Sequence, residues 1–460
     1  MSEPSSSPPA AAVSPDSAAS LHSTASLDSA ASLDSAASLH SAAEAAIWDH
    51  LVAGTRTVVV DSPPGAGKST LVRDLALRLV ASGADVPVVV QTNDQADDLV
   101  AALVRRHPAF EVGRLHASGW EAPASFLRRG VRFSGKLDDL AGCRIIVATA
   151  AKWSFSSGRT FELGIIDEAY QMSAANLVRV GDLFDRLLLV GDPGQLSPFT
   201  VADEHAVRTL SGWPLSTAAG VVLRHHPATP VVPLPVSWRL AAHTAPVVSS
   251  SFYVRPFRSG TGPGARTLSV PSSAHPVLEM AATTGWGLLE LPAAYRPRTD
   301  PEMVSALVGL ARELSTADVT AADERRERPL RPADVAIGVA HTDQRDHVRA
   351  ALDRAGLTDV VVDTANRLQG RQFEITLVWH PLSGRRDPSA FHLETGRLCV
   401  LASRHRQACV VVSRGGVESQ LHDFPADEPV WLGTDPPAID GWAANLAFLD
   451  HLTAFRVPHS

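Results

Sequence analysis

Short apolar runs alternate along the chain with stretches of helical period, and this alternation predicts the class of fold. In the first half the runs include Val58–Val60, Ile145–Val147 and Leu187–Val190. Runs rich in β-branched residues, without polar alternation, are typical of strands that are covered on both faces of a parallel sheet. Similar runs return in the second half, in ITLVW and ACVVVS. The pattern predicts an α/β chain in which helices flank parallel sheets.

The run Val58–Val60 is followed by a turn rich in proline and glycine and then by the helical stretch LVRDLALRLV. A strand, a glycine-rich turn and Lys-Ser-Thr in this order predict a phosphate-binding loop, because backbone N–H groups and a helix N-terminus attract phosphate. We expect Lys68 to reach the β- and γ-oxygens and the Ser69 hydroxyl to bind Mg²⁺. The residues predicted to bind the nucleotide in this loop are Ser62, Pro63, Gly65, Ala66, Gly67, Lys68, Ser69 and Thr70.

Two further apolar runs end in polar residues that suit phosphate chemistry. Leu163–Ile166 is followed by Asp167 and Glu168, and the run that ends at Val190 by a turn that carries Gln195. Asp167 is predicted to hold Mg²⁺ through water, and Glu168 to position and deprotonate an attacking water. Gln195 would sense the γ-phosphate. Two adjacent carboxylates after a strand are also common as a helix cap, so the pair alone leaves both interpretations open.

The composition limits the classes of partner. The 460 residues carry a formal net charge of −8, so any site for nucleic acid has to be local. No apolar run approaches the roughly 18 residues of a membrane span, and we expect no membrane partner. The three cysteines show no metal-ligand spacing and favour a reducing compartment, which predicts a cytoplasmic location.

Two segments stand apart in composition. Residues 1–42 repeat Ser, Leu and Ala with a period of six, which predicts a disordered tail, with docking of a protein partner as the alternative. Residues 105–140 mix basic and aromatic side chains and are predicted to form a small insertion. Arg128, Arg129 and Arg132 would follow a strand of nucleic acid there. An ordinary solvated subdomain is the alternative.

The segments SPPGAGKST, IIDEAYQ and LVGDPGQLSP resemble, in sequence and order, the motifs of superfamily 1 helicases. Ser62 stands where the first motif usually has glycine. The DEAxQ form is similar to subgroup B, which includes nonsense-decay and Dna-type RNA/DNA helicases. The resemblance implies two RecA-like P-loop NTPase domains that bind ATP and Mg²⁺ between them and act on single-stranded DNA or RNA.

The second half of the chain supplies the other motifs that this resemblance implies. Arg239 would contact the γ-phosphate, and Arg404, in RLCVLASR, would act as an arginine finger. The segment TANRLQGRQFE is similar to a motif that contacts nucleotide and nucleic acid, here through Gly370 and Gln369; Gln372 stands in place of the usual glutamate. Contacts with nucleic acid are also implied for Thr92, Asn93 and Thr149.

These observations predict the organisation and activity of the whole chain. We expect a first domain over 43–226, a Pro-rich linker over 227–235, a second domain over 236–425 and a C-terminal extension over 426–460. The expected activity is that of an ATP-dependent translocase or helicase. The alternatives are an ATP-driven switch that remodels a protein or nucleoprotein partner without unwinding, and a nucleotide-binding module without turnover. The residues predicted to be catalytic are Glu168, Gln195, Arg239 and Arg404.

Overall fold

The computed structural model describes residues 35–129, 131–198, 216–316, 318–386, 388–423 and 438–458. Its helices are α1 (35–52), α2 (Lys68–Ala81), α3 (Asn93–Arg106), α4 (Ala124–Arg129), α5 (Ala150–Trp153), α6 (Ala174–Gly181), α7 (Ala218–His225), α8 (Ala245–Phe252), α9 (Pro276–Thr284), α10 (Pro301–Leu314), α11 (Thr342–Arg354), α12 (Ala365–Leu368), α13 (Ala390–Leu393), α14 (Thr395–Ala402), α15 (Val417–Asp423) and α16 (Gly441–Thr453). Its strands are β1 (Thr57–Asp61), β2 (Val86–Val90), β3 (Val112–Leu115), β4 (Arg132–Ser134), β5 (Ile145–Thr149), β6 (Phe161–Asp167), β7 (Phe184–Gly191), β8 (Val231–Pro233), β9 (Val236–Ser237), β10 (Arg258–Ser259), β11 (Thr267–Ser269), β12 (Trp286–Leu291), β13 (Thr320–Ala322), β14 (Glu327–Pro329), β15 (Val335–Val339), β16 (Val361–Thr364), β17 (Phe373–Trp379), β18 (His405–Arg414) and β19 (Arg456–Pro458).

The first lobe is built on a sheet whose described strands follow the order β4-β3-β5-β2-β6-β7-β1-β8, and every pairing between them is parallel. The valine-rich strands β1 and β2 are buried because apolar side chains pack against both faces of the sheet. Strands β6, β7 and β1 are neighbours, and parallel strands end at one edge. The turns that follow these three strands therefore meet, as expected for a ligand site of an open parallel sheet.

The second lobe is built on another parallel sheet, whose described strands follow the order β16-β15-β17-β18-β12-β19. Two apolar clusters cover its two faces. The predicted fold class, α/β with two RecA-like lobes built on parallel sheets, is confirmed. Two smaller sheets accompany it: β9 pairs with β10, and β11, β13 and β14 form an antiparallel sheet.

The Pro-rich segment 227–235 differs from the predicted linker. Val231 and Val232 pair with Val59 and Val60, so that β8 forms the edge of the first sheet. Proline is tolerated there because an edge strand leaves one row of its N–H groups unpaired. Of the described strands, none before β12 belongs to the second sheet. The first lobe therefore extends to Pro233, beyond the predicted boundary at residue 226.

The C-terminal segment also differs from the prediction. Helix α16 packs on α8 and α14 and buries Phe448 and Leu452 in a core of the second lobe. Strand β19 pairs with β12 and forms the edge of the second sheet. Residues 438–458 are thus an integral part of this lobe. The remainder of the predicted extension, 426–437 and 459–460, lies outside the described residues.

At the other end of the chain, helix α1 overlaps the predicted disordered tail. Ala36 and Ile47 are buried, and Arg258 Nη2 donates a hydrogen bond of 2.8 Å to Ser35 Oγ. The ring of His40 meets the ring of Trp238 edge-on, with centroids 5.7 Å apart. These contacts offset the conformational entropy that is lost when the helix is ordered. The few leucines of the repeat could not offset it alone. Residues 35–42 are therefore helical, and the tail predicted over 1–34 lies outside the described residues.

Residues 105–140 do not form a separate insertion. Strands β3 and β4 continue the first sheet beyond β5, and Phe126 is buried in the core of the first lobe. Arg114 is fully buried and donates to Asp97 Oδ1 and Asn93 Oδ1, both at 2.8 Å. Much of the basic and aromatic content of this segment is therefore structural. In the part of the chain that the structure describes, no helix combines the length and apolarity that a membrane crossing requires.

Candidate active site

The phosphate loop runs from the end of β1 to the start of α2. Gly65 and Gly67 adopt left-handed backbone conformations, with φ of 74° and 90°. A Cβ atom at Gly65 would lie 2.2 Å from Cβ of Arg239, so only glycine fits at this close approach. Gly67 caps α2, and Lys68 begins the helix. The loop therefore offers a helix N-terminus to an anion, as the sequence predicts.

The carboxylates that follow β6 occupy an unusual piece of backbone. Glu168 has a φ of 56° and is the sole non-glycine residue with positive φ among those described. Asp167 is buried, and its Oδ1 accepts a hydrogen bond of 2.9 Å from the Glu168 amide. Burial, with the neighbouring Glu168 as a second cause, raises the pKa of Asp167 above its ordinary value, whereas Lys68 opposes this shift. A strained conformation of this kind is common at functional sites.

Lys68 connects these carboxylates with the loop after β7. Its Nζ lies 3.8 Å from Glu168 Oε1 and 3.8 Å from Asp192 Oδ2. The side-chain amide of Gln195 donates to Asp192 Oδ2, and Gln195 Oε1 accepts a hydrogen bond of 2.9 Å from Gln369 Nε2. Gln369 belongs to the second lobe. The predicted phosphate sensor is therefore in direct contact with both lobes.

The second lobe brings two arginines to the phosphate loop. The segment that carries Arg239 is fixed on the loop, because the Trp238 amide donates to Gly65 O at 2.9 Å and Ser237 Oγ to Pro64 O at 2.6 Å. Burial, with Arg404 as a second cause, lowers the pKa of Arg239 to about 9. Burial also lowers the pKa of Arg404, whose side chain is 1% exposed. The guanidinium of Arg404 therefore adds to the cost of burying Arg239.

These two arginines have hydrogen-bond partners but no counter-charge within salt-bridge distance among the described residues. Arg239 Nη1 donates to Ser403 O at 3.3 Å, and its Nε has no partner. Arg404 donates to Val400 O at 3.1 Å and to Ser403 Oγ at 2.9 Å. Buried positive charges without an acidic partner are costly, and an anionic ligand would relieve that cost.

A cavity of about 820 Å³ lies between the lobes and collects these groups. Of the residues predicted from the sequence, it is lined by Gly65, Ala66, Gly67, Lys68, Ser69, Thr70, Glu168, Gln195, Arg239, Gly370 and Arg404. Ser62 and Pro63 line a different cavity of about 430 Å³, and Asp167 is buried without lining either. Glu168 Oε2 is buried and has no hydrogen-bond partner among the residues that the structure describes, so the donor set fits a triphosphate with Mg²⁺ and a water molecule.

Several cavity residues were missed by the sequence interpretation. Asp192 does not line the cavity itself; it lies in a recognised motif, but its contact with the cavity residue Lys68 requires the fold. The turn between β13 and β14 contributes Asp323, Glu324 and Arg325 to the lining, although its sequence reads as an exposed charged loop. Arg266 also lines the cavity and donates to the Trp238 carbonyl at 2.8 Å. These groups come together through contacts between residues that are far apart in the sequence, and local sequence patterns do not reveal such contacts.

The first three residues predicted to contact nucleic acid, Thr92, Asn93 and Thr149, form hydrogen bonds within the first lobe. Thr92 Oγ1 caps α3 and Thr149 Oγ1 caps α5, accepting hydrogen bonds of 3.2 Å from the amides of Gln95 and Lys152. Asn93 accepts from buried Arg114 at 2.8 Å. Thr92 and Asn93 follow β2 and Thr149 ends β5, so all three lie at the carboxyl edge of the first sheet. They share that edge with the phosphate loop but do not line its cavity.

Arg128, Arg129 and Arg132 are the arginines predicted to follow a strand of nucleic acid. Arg132 donates to Glu111 Oε2 at 3.3 Å and to the carbonyls of Ala141 and Asp139 at 2.9 and 2.8 Å. Its guanidinium therefore fixes the local chain rather than standing free for phosphate. The side chains of Arg128 and Arg129 lie outside the described residues, although their backbone ends α4.

The sequence resembles known proteins over part of its length. A family model described as an AAA domain matches residues 39–212, which include the phosphate loop and both carboxylates. The "DNA replication ATP-dependent helicase/nuclease DNA2" of Bos taurus is 28% identical over 165 residues, and that of Xenopus laevis 29%. Each alignment covers 34% of this chain and 15% of the relative's length. The match to an AAA domain supports ATPase activity in the first lobe.

Solved structures resemble a larger part of the chain at lower identity. The arterivirus nonstructural protein 10 (helicase) is 16% identical, with a TM-score of 0.41 over 78% of this chain and 60% of that protein. The PRRSV helicase is 14% identical, with a TM-score of 0.42 over 80% of this chain and 54% of that protein.

Proposed function

We propose that the chain is an ATP-dependent translocase or helicase of superfamily 1, subgroup B, that hydrolyses ATP between its two lobes. The observation that carries this proposal is the shared cavity, in which the phosphate loop of one lobe faces Arg239 and Arg404 of the other. Neither lobe alone would surround a γ-phosphate. The similarity to the two helicase/nuclease relatives also supports a helicase activity, although the chain spans only 15% of their length.

The residues around the cavity suggest how each would act. An entering triphosphate would compete with Glu168 and Asp192 for Lys68, and its γ-phosphate would neutralise Arg239 and Arg404. Glu168 would then accept the proton of the attacking water through its unpartnered Oε2. Ser69 and, through water, Asp167 would hold Mg²⁺, which supplies neutralisation of phosphate charge when it is bound.

The same geometry suggests how turnover drives movement. Nucleotide would favour the closed arrangement of the lobes because its γ-phosphate contacts groups from both. Hydrolysis would remove that common contact and let the lobes separate. Thr92, Asn93 and Thr149, at the carboxyl edge of the first sheet, and Gln369 in the second lobe would contact the single strand. Alternating closure and opening against that strand would produce steps.

Measurement of phosphate release with and without single-stranded DNA and single-stranded RNA tests this proposal. We expect one or both polymers to stimulate turnover by about tenfold or more, because closure on the strand completes the site. Lys68→Ala should abolish turnover, and Lys152→Ala, which removes a lysine outside the cavity, serves as its control. Turnover that ignores both polymers would contradict a translocase and would favour the ATP-driven remodelling switch.

A second variant tests the assignment of the base. Glu168→Gln keeps the size of the side chain but cannot accept the proton, so turnover should fall by about a hundredfold. Nucleotide binding, measured by equilibrium titration with a fluorescent ATP analogue, should persist. Hydrolysis at the parental rate would show that another group acts as the base.

A further inference from the structure

The loop over residues 192–196, which follows β7, continues a strand of the first lobe but is held by the second. Leu196 is 3% exposed and packs in an apolar cluster of the second lobe. A Cβ atom at Gly194 would lie 2.5 Å from the Tyr253 ring, and one at Gly396 would lie 2.5 Å from the Gln195 carbonyl oxygen. These close approaches allow only glycine. The loop is therefore packed closely against the second lobe.

Tyr253 connects this loop to the phosphate-binding lysine. It follows α8, which packs in the second lobe, and its hydroxyl donates a hydrogen bond of 2.7 Å to Asp192 Oδ1. The other oxygen of Asp192 lies 3.8 Å from Lys68 Nζ and accepts from the Gln195 amide. Asp192 is 1% exposed, so water does not compete for these contacts. Burial raises the pKa of Tyr253, with Asp192 adding to the shift, and the phenol stays a donor.

We propose that Tyr253 is a positioning residue of the ATPase, which sets the position of Asp192 and through it the positions of Lys68 and Gln195. The inference rests on the proposed function. Because Tyr253 moves with the second lobe and Lys68 with the first, the hydrogen bond makes the counter-charge of Lys68 depend on the arrangement of the lobes. Closure would bring Asp192, Lys68 and Gln195 into their working geometry together.

The chain contains a matched tyrosine that isolates this role. Tyr170 donates a hydrogen bond of 2.6 Å to Asp61 Oδ1, which gives a second pair of phenol and carboxylate, less buried than the first. Asp61 also contacts Arg255 at 3.1 Å, and neither Tyr170 nor Asp61 lines the phosphate cavity. Thermal melting of the two variants measures how much each hydroxyl contributes to stability. Only removal of the Tyr253 hydroxyl should alter the phosphate site.

The experiment compares Tyr253→Phe with Tyr170→Phe in the full chain, by steady-state ATP hydrolysis and by thermal melting. We expect Tyr253→Phe to lower kcat by about tenfold with a change in KM for ATP of less than about twofold, since orientation rather than ground-state binding is lost. Tyr170→Phe should change kcat by less than about twofold. A similar Tm for the two variants would show that stability is not the cause.

A double-mutant cycle with Asp192→Asn completes the test. The variant that combines Tyr253→Phe and Asp192→Asn should be about as slow as the slower single variant, because both changes break one link. Parental kcat in Tyr253→Phe, an equal loss in Tyr170→Phe, or additive losses in the cycle would overturn the inference. Loss of turnover in Lys68→Ala beside unchanged Tyr253→Phe would refute this inference alone. A parental chain without turnover would refute the proposed function and this inference with it.

Discussion

The cavity between the lobes and the basic segment at residues 105–140 are both rich in charged side chains, but they satisfy those charges differently. In the segment, Arg114 and Arg132 are paired with Asp97 and Glu111 and with nearby carbonyls. In the cavity, Arg239 forms no salt bridge with a described residue and feels Asp192 and Glu168 only at longer range, and its Nε has no partner among the described residues. Buried polar groups are normally satisfied, so an unsatisfied set marks a place for a ligand more reliably than charge density does.

The largest loss of turnover is expected when Arg404 of the cavity is replaced. Arg404→Ala should lower kcat by about a thousandfold, the scale of an arginine that stabilises charge on a transferred phosphoryl group. Nucleotide affinity, measured by titration, should change much less than kcat. Because the side chain is buried, Arg404→Lys is needed as a second variant that keeps the charge but loses the planar fork.

The matched control for Arg404 is Arg345→Ala. Arg345 lies on α11 of the second lobe and pairs with its neighbour Asp346 at 2.7 Å, away from the cavity lining. Its removal should leave kcat unchanged. If Arg404→Ala and Arg345→Ala hydrolysed ATP alike, the guanidinium at position 404 would have no role in turnover, and the contrast between the two regions would fail.

A smaller effect is expected from acid, because the cavity side of the molecule also buries an unpartnered histidine. Neither ring nitrogen of His405 has a partner within the described part of the chain, and burial, followed by nearby His243 and Arg239, lowers its pKa from about 6.5 to about 3. Below pH 6.5 the unfolded chain binds a proton that the folded chain does not. Stability is therefore lost as the pH falls from 6.5 towards 3, by about 2 kcal/mol at pH 5.

Urea unfolding of the parent and of His405→Phe at pH 7 and pH 5 measures this loss. The substitution keeps a ring next to Trp286, whose centroid lies 5.1 Å from that of His405. The parent should lose more stability between the two pH values than the variant, by roughly the amount given above. Equal losses in the two proteins would show that His405 is not held neutral by the fold.

The smallest effect is expected in the basic segment. Arg132→Ala should leave the salt dependence of binding to single-stranded nucleic acid unchanged, because the guanidinium is already engaged by Glu111 and two carbonyls. Loss of one phosphate contact would instead reduce the slope of log K against log salt by about 0.7. Fluorescence anisotropy at several salt concentrations separates these outcomes, and a reduced slope would place Arg132 on the strand after all.

The sequence predicted those parts of the molecule that local chemistry determines. The Val58–Val60 run, the glycines of the loop and Lys68 are contiguous, so their pattern indicates strand, turn and helix directly. It did not predict β8 and β19, because two or three paired residues at a sheet edge have no periodicity of their own. No role was predicted for Asp192 or Tyr253. These two residues are 61 positions apart in the sequence, and they come into contact only when the two lobes pack together.

The most direct test of the account is a crystal structure of the full chain with a non-hydrolysable ATP analogue and Mg²⁺. We expect the guanidinium groups of Arg239 and Arg404 to lie within hydrogen-bonding distance of the γ-phosphate, opposite Lys68 and the phosphate loop. A bound analogue with both arginines turned towards solvent, and only the first lobe in contact with the phosphates, would contradict the claim that the two lobes hold one nucleotide.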